Sequence, residues 1–346
     1  MVTRTESATP TALYNVTWNF ISEDVPICRS ATYITIHNDL LPMSPYVDFS
    51  AHNGVKSEML PSRNVDSVQA LRSRSTNAVD FQFTNVSVAE AYNEFLVPRV
   101  FEPWAELLLD EVNLQRGETV LDVATGPGTV ARLAAERVGV QGRVVGTDIA
   151  PLMLEVARAK PPLPNAAPIE YLESSAAPLA VPSGTFNTVL CQQGLQFFPE
   201  RVGALREMRR VLKPNGRVAI AVWAELECNQ IFATYCAAVR ATAPQLTSLI
   251  MAPFSWPSAR ALKRVAEEAG FRQVQLLTRT LPIVFEEGID QAIRSLTATP
   301  VTVGVAALAP DLQEAFFARV RRELGSLVRD GKVVGETTSN IIIANC

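Results

Sequence analysis

From Val86 onward, apolar residues return at steps of three and four: Val88, Tyr92, Phe95, Leu96, Val100, Phe101, Trp104 and Leu108. That spacing predicts one or two amphipathic helices, with Pro98 and Pro103 read as breaks. Short apolar runs then alternate with helical patterns. The runs predict strands at 119–124, 144–147, 169–172, 186–191, 217–223, 274–280 and 339–344. Helices are predicted at 129–138, 151–159, 201–212, 230–240 and 258–269, near 288–295, and over 311–328. Gly270 reads as a helix stop and residues 213–216 as a turn. Runs such as 218–222 are apolar throughout, as expected of strands covered by helices on both faces. The alternation predicts an α/β chain: a doubly wound, Rossmann-like, seven-stranded and mostly parallel sheet.

Residues 1–80 break this pattern. They are rich in Ser, Thr, Asn and Pro and carry no sustained helical period, so they read as a poorly ordered or locally structured extension. The domain is expected over 81–346. Insertions at about 86–112, 224–257 and 282–336 are rich in Ala, Leu, Val, Phe and Pro, and read as an apolar helical lid.

Composition narrows the function. The chain has 346 residues, a net charge of −4 and 48% hydrophobic residues. That balance argues against a general nucleic-acid surface. No run approaches the ~20 apolar residues of a membrane span, and the first residues lack a signal-peptide core. The five cysteines show no disulfide or metal spacing, so free thiols and a cytoplasmic setting are expected, with no metal. The only histidines are His37 and His52.

In a parallel sheet, ligands sit at the carboxyl ends of the strands. The first strand ends in the turn Gly126-Pro127-Gly128, with Asp122 four residues before it. Asp148 ends the second strand, where a carboxylate can accept from both hydroxyls of a ribose. Ser174, Ser175 and Ala176 follow the third strand, and Cys191, Gln192 and Gln193 end the fourth. The glycines alone fit a dinucleotide loop, but such a signal is weak. Asp122 would repel a pyrophosphate and suits an ammonium group. Pro127 removes a backbone donor that a phosphate cradle would use. Both favour an adenosine ligand with a cationic amino-acid end.

Four segments carry a resemblance: VLDVATGPGT (120–129), VGTDIAPLML (145–154), LAVPSGTFNTV (179–189) and REMRRVLKPNG (206–216). In order and spacing they resemble the motifs of class I S-adenosylmethionine-dependent methyltransferases, and most nearly the ubiquinone/menaquinone-methyltransferase-like group acting on small molecules. The resemblance covers about 86–346 and implies S-adenosylmethionine as cofactor. It implies that Ala124, Thr125, Gly126 and Gly128 line the cofactor, with Asp122 supporting the turn or the amino group. It gives Asp148 the ribose, Ile149 and Met153 the faces of the adenine, and Ser175 and Ala176 its edge. Cys191 and Gln192 would lie near the methionine part, and Tyr92 would close over the cofactor. Three positions depart from the pattern: Ser175 and Asn187 stand where Asp is usual, and Asn215 where Gly is usual. Phe197, Phe198, Trp223 and Trp256 read as core, and Arg206, Arg209 and Arg210 as a solvated helix face.

No histidine lies in 86–346, so a histidine base is not expected there and no catalytic residue is assigned. The expected acceptor is a small, fairly hydrophobic phenolic, quinol or polyketide-like metabolite of secondary metabolism, methylated on carbon or oxygen. An amine acceptor, a cofactor-binding protein without methyl transfer and an NAD-dependent oxidoreductase stay open as alternatives, as does homo-oligomerisation.

Overall fold

The computed structural model describes residues 83–256 and 258–346. The expectations for residues 1–80, including His37 and His52, lie outside the described residues.

The sheet is α/β and doubly wound. Its strands are β1 (Thr119–Val123), β2 (Arg143–Asp148), β3 (Ile169–Glu173), β4 (Phe186–Gln192), β5 (Leu212–Trp223), β6 (Arg272–Phe285), β7 (Val328–Arg329) and β8 (Lys332–Asn345). The order is β3-β2-β1-β4-β5-β8-β6, with the two-residue β7 paired to β8. The first five strands are mutually parallel, and β8 enters antiparallel between β5 and β6. The strand order reverses at β1 and β4, which opens a crevice at their carboxyl ends.

Alternation along the strands explains the two cores. Val120 and Leu190 face one layer, with α3 (Thr129–Val138) and α6 (Gln230–Thr242). Leu121, Val189 and Cys191 face the other, with α5 (Arg201–Val211) and α8 (Ala259–Glu268). Successive side chains point to opposite faces, so both faces must be apolar.

The amino-terminal end of the sheet is pinned by charge. Buried Glu118 accepts from the Thr188 hydroxyl at 2.8 Å and from Arg217 at 2.9 and 3.1 Å. Arg217 also donates to the carbonyls of Val112 and Asn113, both at 2.9 Å. One ionic cluster thus ties β1, β4 and β5 to the end of α2 (Glu102–Val112).

Several elements differ from the sequence reading. Pro98 does not break the entry helix. After α1 (Val86–Ala91) the chain widens into a π-helix, Tyr92–Phe101, which carries Pro98 inside it before α2 begins. A wider turn makes room for a ring that would clash with the carbonyl one α-turn back. Pro103 sits in the first turn of α2, where its missing N–H costs nothing. Strands β6 and β8 are longer than expected because they pair from Arg272↔Asn345 to Phe285↔Val333, so 282–285 and 332–336 are strand. Helices α9 (Ile289–Thr297), α10 (Val301–Ala306) and α11 (Pro310–Gly325) lie between them. The short α7 (Thr247–Met251) and α10 have too few residues for a periodic signal.

Arg210 also departs from its reading as a solvated residue. It pairs with Glu207 at 2.8 Å and donates to the carbonyls of Leu179 and Val181 and the hydroxyl of Ser183. The Glu207 carboxylate accepts from the Leu179 amide. This guanidinium fixes the loop between β3 and β4. Arg210→Ala is expected to speed amide hydrogen exchange across 174–183, while Tm falls by only about 2 °C or less. A larger fall would show that the pair supports the whole domain.

Candidate functional site

The chain turns sharply where β1 ends. Ala124, Gly126 and Gly128 all have positive φ, at 59°, 54° and 79°. For Ala124 that conformation is strained, and such strain gathers at functional sites. A Cβ added to Gly126 would meet nothing within 4 Å, so the turn faces open space there. At Gly128 a Cβ would come within 2.3 Å of the Tyr171 hydroxyl, so only glycine fits beneath that ring.

Two carboxylates hold the turn. Asp122 is buried on the α3 face and accepts from the Thr125 hydroxyl at 2.6 Å. Thr125 is buried, and its amide donates to the Thr147 carbonyl at 2.9 Å. Asp148 accepts from the Gly126 amide at 2.8 Å and from the Ala150 amide at 2.9 Å. Burial pushes the Asp122 carboxyl up to about 7, with the nearby Asp148 charge adding to the rise. Burial also raises Asp148, against the pull of its backbone donors. Two desolvated carboxylates beside one glycine turn repel a pyrophosphate and favour a cation.

Most of the remaining residues gather at the same end of the sheet. Ile149, next to Asp148, is 67% exposed, an apolar side chain left open to a flat apolar ligand. Ser175 donates its hydroxyl to the Pro178 carbonyl at 2.8 Å, and the half-buried Ala176 packs on the core behind. Gln192 donates to the Phe101 carbonyl at 2.8 Å, while its buried Oε1 has no partner among the described residues. Two residues do not join them. Met153, on α4 (Pro151–Ala159), is buried beneath Tyr92 in a small cluster with Ala89 and Val156, so it presents no open face. Cys191 lies on the opposite face of β4 from Gln192, in the core of α5 and α8, where burial pushes its thiol well up. Only its backbone remains to meet a ligand. The departures have local explanations. Asn187 accepts from the Thr119 amide at 3.0 Å and from Lys213 at 2.9 Å. Asn215 takes the positive φ that glycine would, at 64°.

Tyr92 links this crevice to a second feature. Its ring sits 5.2 Å from that of Phe101, and burial together with the Asp148 charge keeps its hydroxyl protonated. It lines an aromatic cavity of about 90 Å³ with Phe101, Trp223, Phe232, Tyr235 and Phe254. At ~10–15 Å³ for each water that space holds roughly six to nine waters, the room of one substituted ring. Gln193, Gln196, Phe197 and Thr299 complete the polar and outer parts of its wall, and among the described residues no charged side chain lines it. Trp223 stacks edge-on against Trp104 at 5.8 Å and tilts against Phe232 at 5.5 Å. Trp223 and Phe197 are therefore cavity wall rather than core alone, whereas Trp256 is buried with Arg201 stacked 4.6 Å over it. The sequence reading missed Gln196, Tyr235 and Phe232. Phe232 and Tyr235 were signalled only by an aromatic excess in 223–256, and Gln196 carried no signal of its own. Among the described residues no group of His, Cys, Asp or Glu could hold a metal, and no helix is long and apolar enough to cross a membrane.

Comparison with known proteins gives consistent findings. A profile described as the ubiE/COQ5 methyltransferase family matches residues 75–286. The chain is 31% identical over 215 residues to the ubiquinone/menaquinone biosynthesis C-methyltransferase UbiE of Escherichia fergusonii, covering 57% of this chain and 85% of that one. Among solved structures it is similar to a SAM dependent methyltransferase from Aquifex aeolicus, at 25% identity and a TM-score of 0.43. That match covers 58% of this chain and 94% of that one. It is also similar to the YcgJ protein of Bacillus subtilis, at 18% identity and a TM-score of 0.48, covering 70% and 97%.

Proposed function

The chain belongs to the ubiE/COQ5 methyltransferase family, and from that premise we propose that it methylates a small, neutral, ring-shaped acceptor seated in the aromatic cavity. The enzyme is an S-adenosylmethionine-dependent methyltransferase. Bound S-adenosylmethionine supplies a methyl group already activated by the sulfonium charge.

The residues present fit that group. The open space over Gly126 admits it, and the bare Ile149 offers an apolar face to the adenine. Asp148 spends some of its lone pairs on two backbone amides and has others for the ribose diol. Asp122 sits where a cationic amino group relieves a desolvated carboxylate. Ser175 is already committed to the Pro178 carbonyl, so it meets the adenine edge only through its lone pairs.

The protein's part in the reaction is alignment and exclusion of water. Tyr92 stands between the crevice and the cavity, and the stacked aromatic walls hold a flat acceptor in one orientation. Among the described residues no lining residue is poised as a base: there is no histidine in 86–346, and burial holds the Tyr235 hydroxyl protonated. The acceptor therefore arrives with a competent nucleophile, such as an electron-rich ring carbon beside a hydroxyl. The single observation that carries this reading is an uncharged, aromatic, ring-sized cavity sharing Tyr92 with the cofactor crevice. The Escherichia fergusonii relative is named as a C-methyltransferase, which supports methylation on carbon.

The test is incubation of the full chain with methyl-labelled S-adenosylmethionine and a panel of neutral phenols and hydroquinones, set beside charged aromatic and non-aromatic acceptors. A labelled carbon-bound methyl on a neutral ring is expected, read by NMR. Label appearing solely on charged or non-aromatic acceptors would overturn the assignment.

A further inference from the structure

Two residues of the cavity wall, Gln196 and Tyr235, each carry a buried polar atom without a hydrogen-bond partner among the described residues: Gln196 Oε1 and the Tyr235 hydroxyl. Both side chains are nearly wholly buried, at 3% exposure each. An unpaired buried polar group is costly, and a native protein keeps one where a ligand completes it.

The rest of Gln196 is fixed. Its Nε2 donates to Gln193 Oε1 at 3.3 Å, and Gln193 Nε2 donates to the Ser339 hydroxyl at 2.8 Å. Its backbone carbonyl accepts from Arg201 at 3.0 Å and from the Ser255 hydroxyl at 3.2 Å. The amide is thus held in one orientation, with an acceptor oxygen left over. A side-chain relay of this kind strengthens each member by polarisation. Tyr235 comes from a different element, α6, and its ring packs edge-on against Phe316 at 6.3 Å.

We propose that these two atoms read the acceptor: Gln196 accepts a hydrogen bond from a free hydroxyl on a neutral ring, and Tyr235 bonds a second oxygen on the same ring. This rests on the cavity being the acceptor site and names what that site selects. The hydroxyl held by Gln196 is the recognised group and stays unmethylated. An ether oxygen would set lone pair against lone pair at Gln196. A carboxylate or phosphate would be desolvated with no cation among the described residues of the wall to meet it.

The test is calorimetric titration of the full chain, saturated with S-adenosylhomocysteine, using 2-methylphenol and 2-methylanisole. They share one ring, and the ether lacks the donor and adds one methyl. The native chain is expected to bind the phenol at least ~10-fold more tightly, since a site built to pair a hydroxyl rejects the analogue without it. Gln196→Leu is expected to bring the two within about twofold, chiefly by weakening the phenol. Gln196→Met serves the same purpose if the leucine variant fails to fold. With methylhydroquinone the native chain is expected to gain further affinity, and Tyr235→Phe to lose that gain alone. Equal binding of the first two probes by the native chain overturns the inference and leaves the cavity as acceptor site. Binding of none of the probes overturns the acceptor-site reading and this inference with it.

Discussion

Asp148→Ala is expected to weaken binding of S-adenosylmethionine by ~10²–10³-fold while leaving the protein folded. The carboxylate ends β2 and already accepts from the amides of Gly126 and Ala150. Its remaining lone pairs are those the proposed cofactor site gives to the ribose diol. Hydrogen bonds to a charged group contribute ~1.5–3 kcal/mol each, and at ~1.5–2 kcal/mol each, the lower part of that range, two lost together correspond to two or three powers of ten. The Gly126 amide also loses its partner, so the turn loosens as well. Asp148→Asn separates the two effects, since its single amide oxygen still holds one backbone donor but gives the diol a weaker and less complete site. It should fall between native and alanine. Calorimetry with S-adenosylhomocysteine gives the affinities, and a melting curve of each variant confirms folding. An alanine variant within fivefold of native affinity would move the ribose elsewhere and leave Asp148 as a turn brace.

The sequence made the site's position legible because sequence-local geometry determines it. A strand, a glycine turn and a helix occupy about twenty consecutive residues, and the register follows from apolar alternation. Asp148 can be placed from its distance to Gly126 alone, because parallel neighbours pair in register through Asp122↔Gly146 and Val123↔Thr147. The orientation of Cys191 was also encoded, since it alternates with Leu190 and Gln192, but a motif match does not say which face a ligand uses. Met153 was hidden differently. Its burial depends on Ala89 and Tyr92 from a helix some sixty residues earlier, a contact that no local pattern reports. The aromatic cavity was least legible of all. Phe101, Trp223, Phe232 and Phe254 come from four segments: Trp223 reads as core, the other three fall in the lid insertions, and no local pattern brings them to one wall. The long β6–β8 pairing was underestimated because its outer half alternates polar and apolar weakly, with Pro282 inside it at the sheet edge.

Asp122→Asn is expected to act in opposite directions on stability and on cofactor binding, and the pH dependence of each reveals why. The native carboxyl is moved from its ordinary 3.8 to about 7, mainly by burial. Folded protein therefore holds a proton here that unfolded protein releases above about 4. Stability falls as pH rises from about 4 to about 7 and then levels off. The ionised native state is destabilised by roughly 4 kcal/mol at pH 8 on this account. Asparagine keeps an acceptor for the Thr125 hydroxyl and removes the charge. The variant without ligand should melt several degrees higher at pH 8, with the gain vanishing near pH 4. A cationic amino group reverses the balance, because it favours the ionised carboxylate. Native affinity for S-adenosylhomocysteine should therefore rise about tenfold from pH 6 to pH 8 as Asp122 loses its proton. In the variant that rise should disappear, with affinity at pH 8 down by ~10–100-fold. Calorimetry and melting curves over pH 5–8.5 test both halves. A variant that melts higher yet binds with native affinity and native pH slope would confine Asp122 to the turn and place the amino group against other atoms.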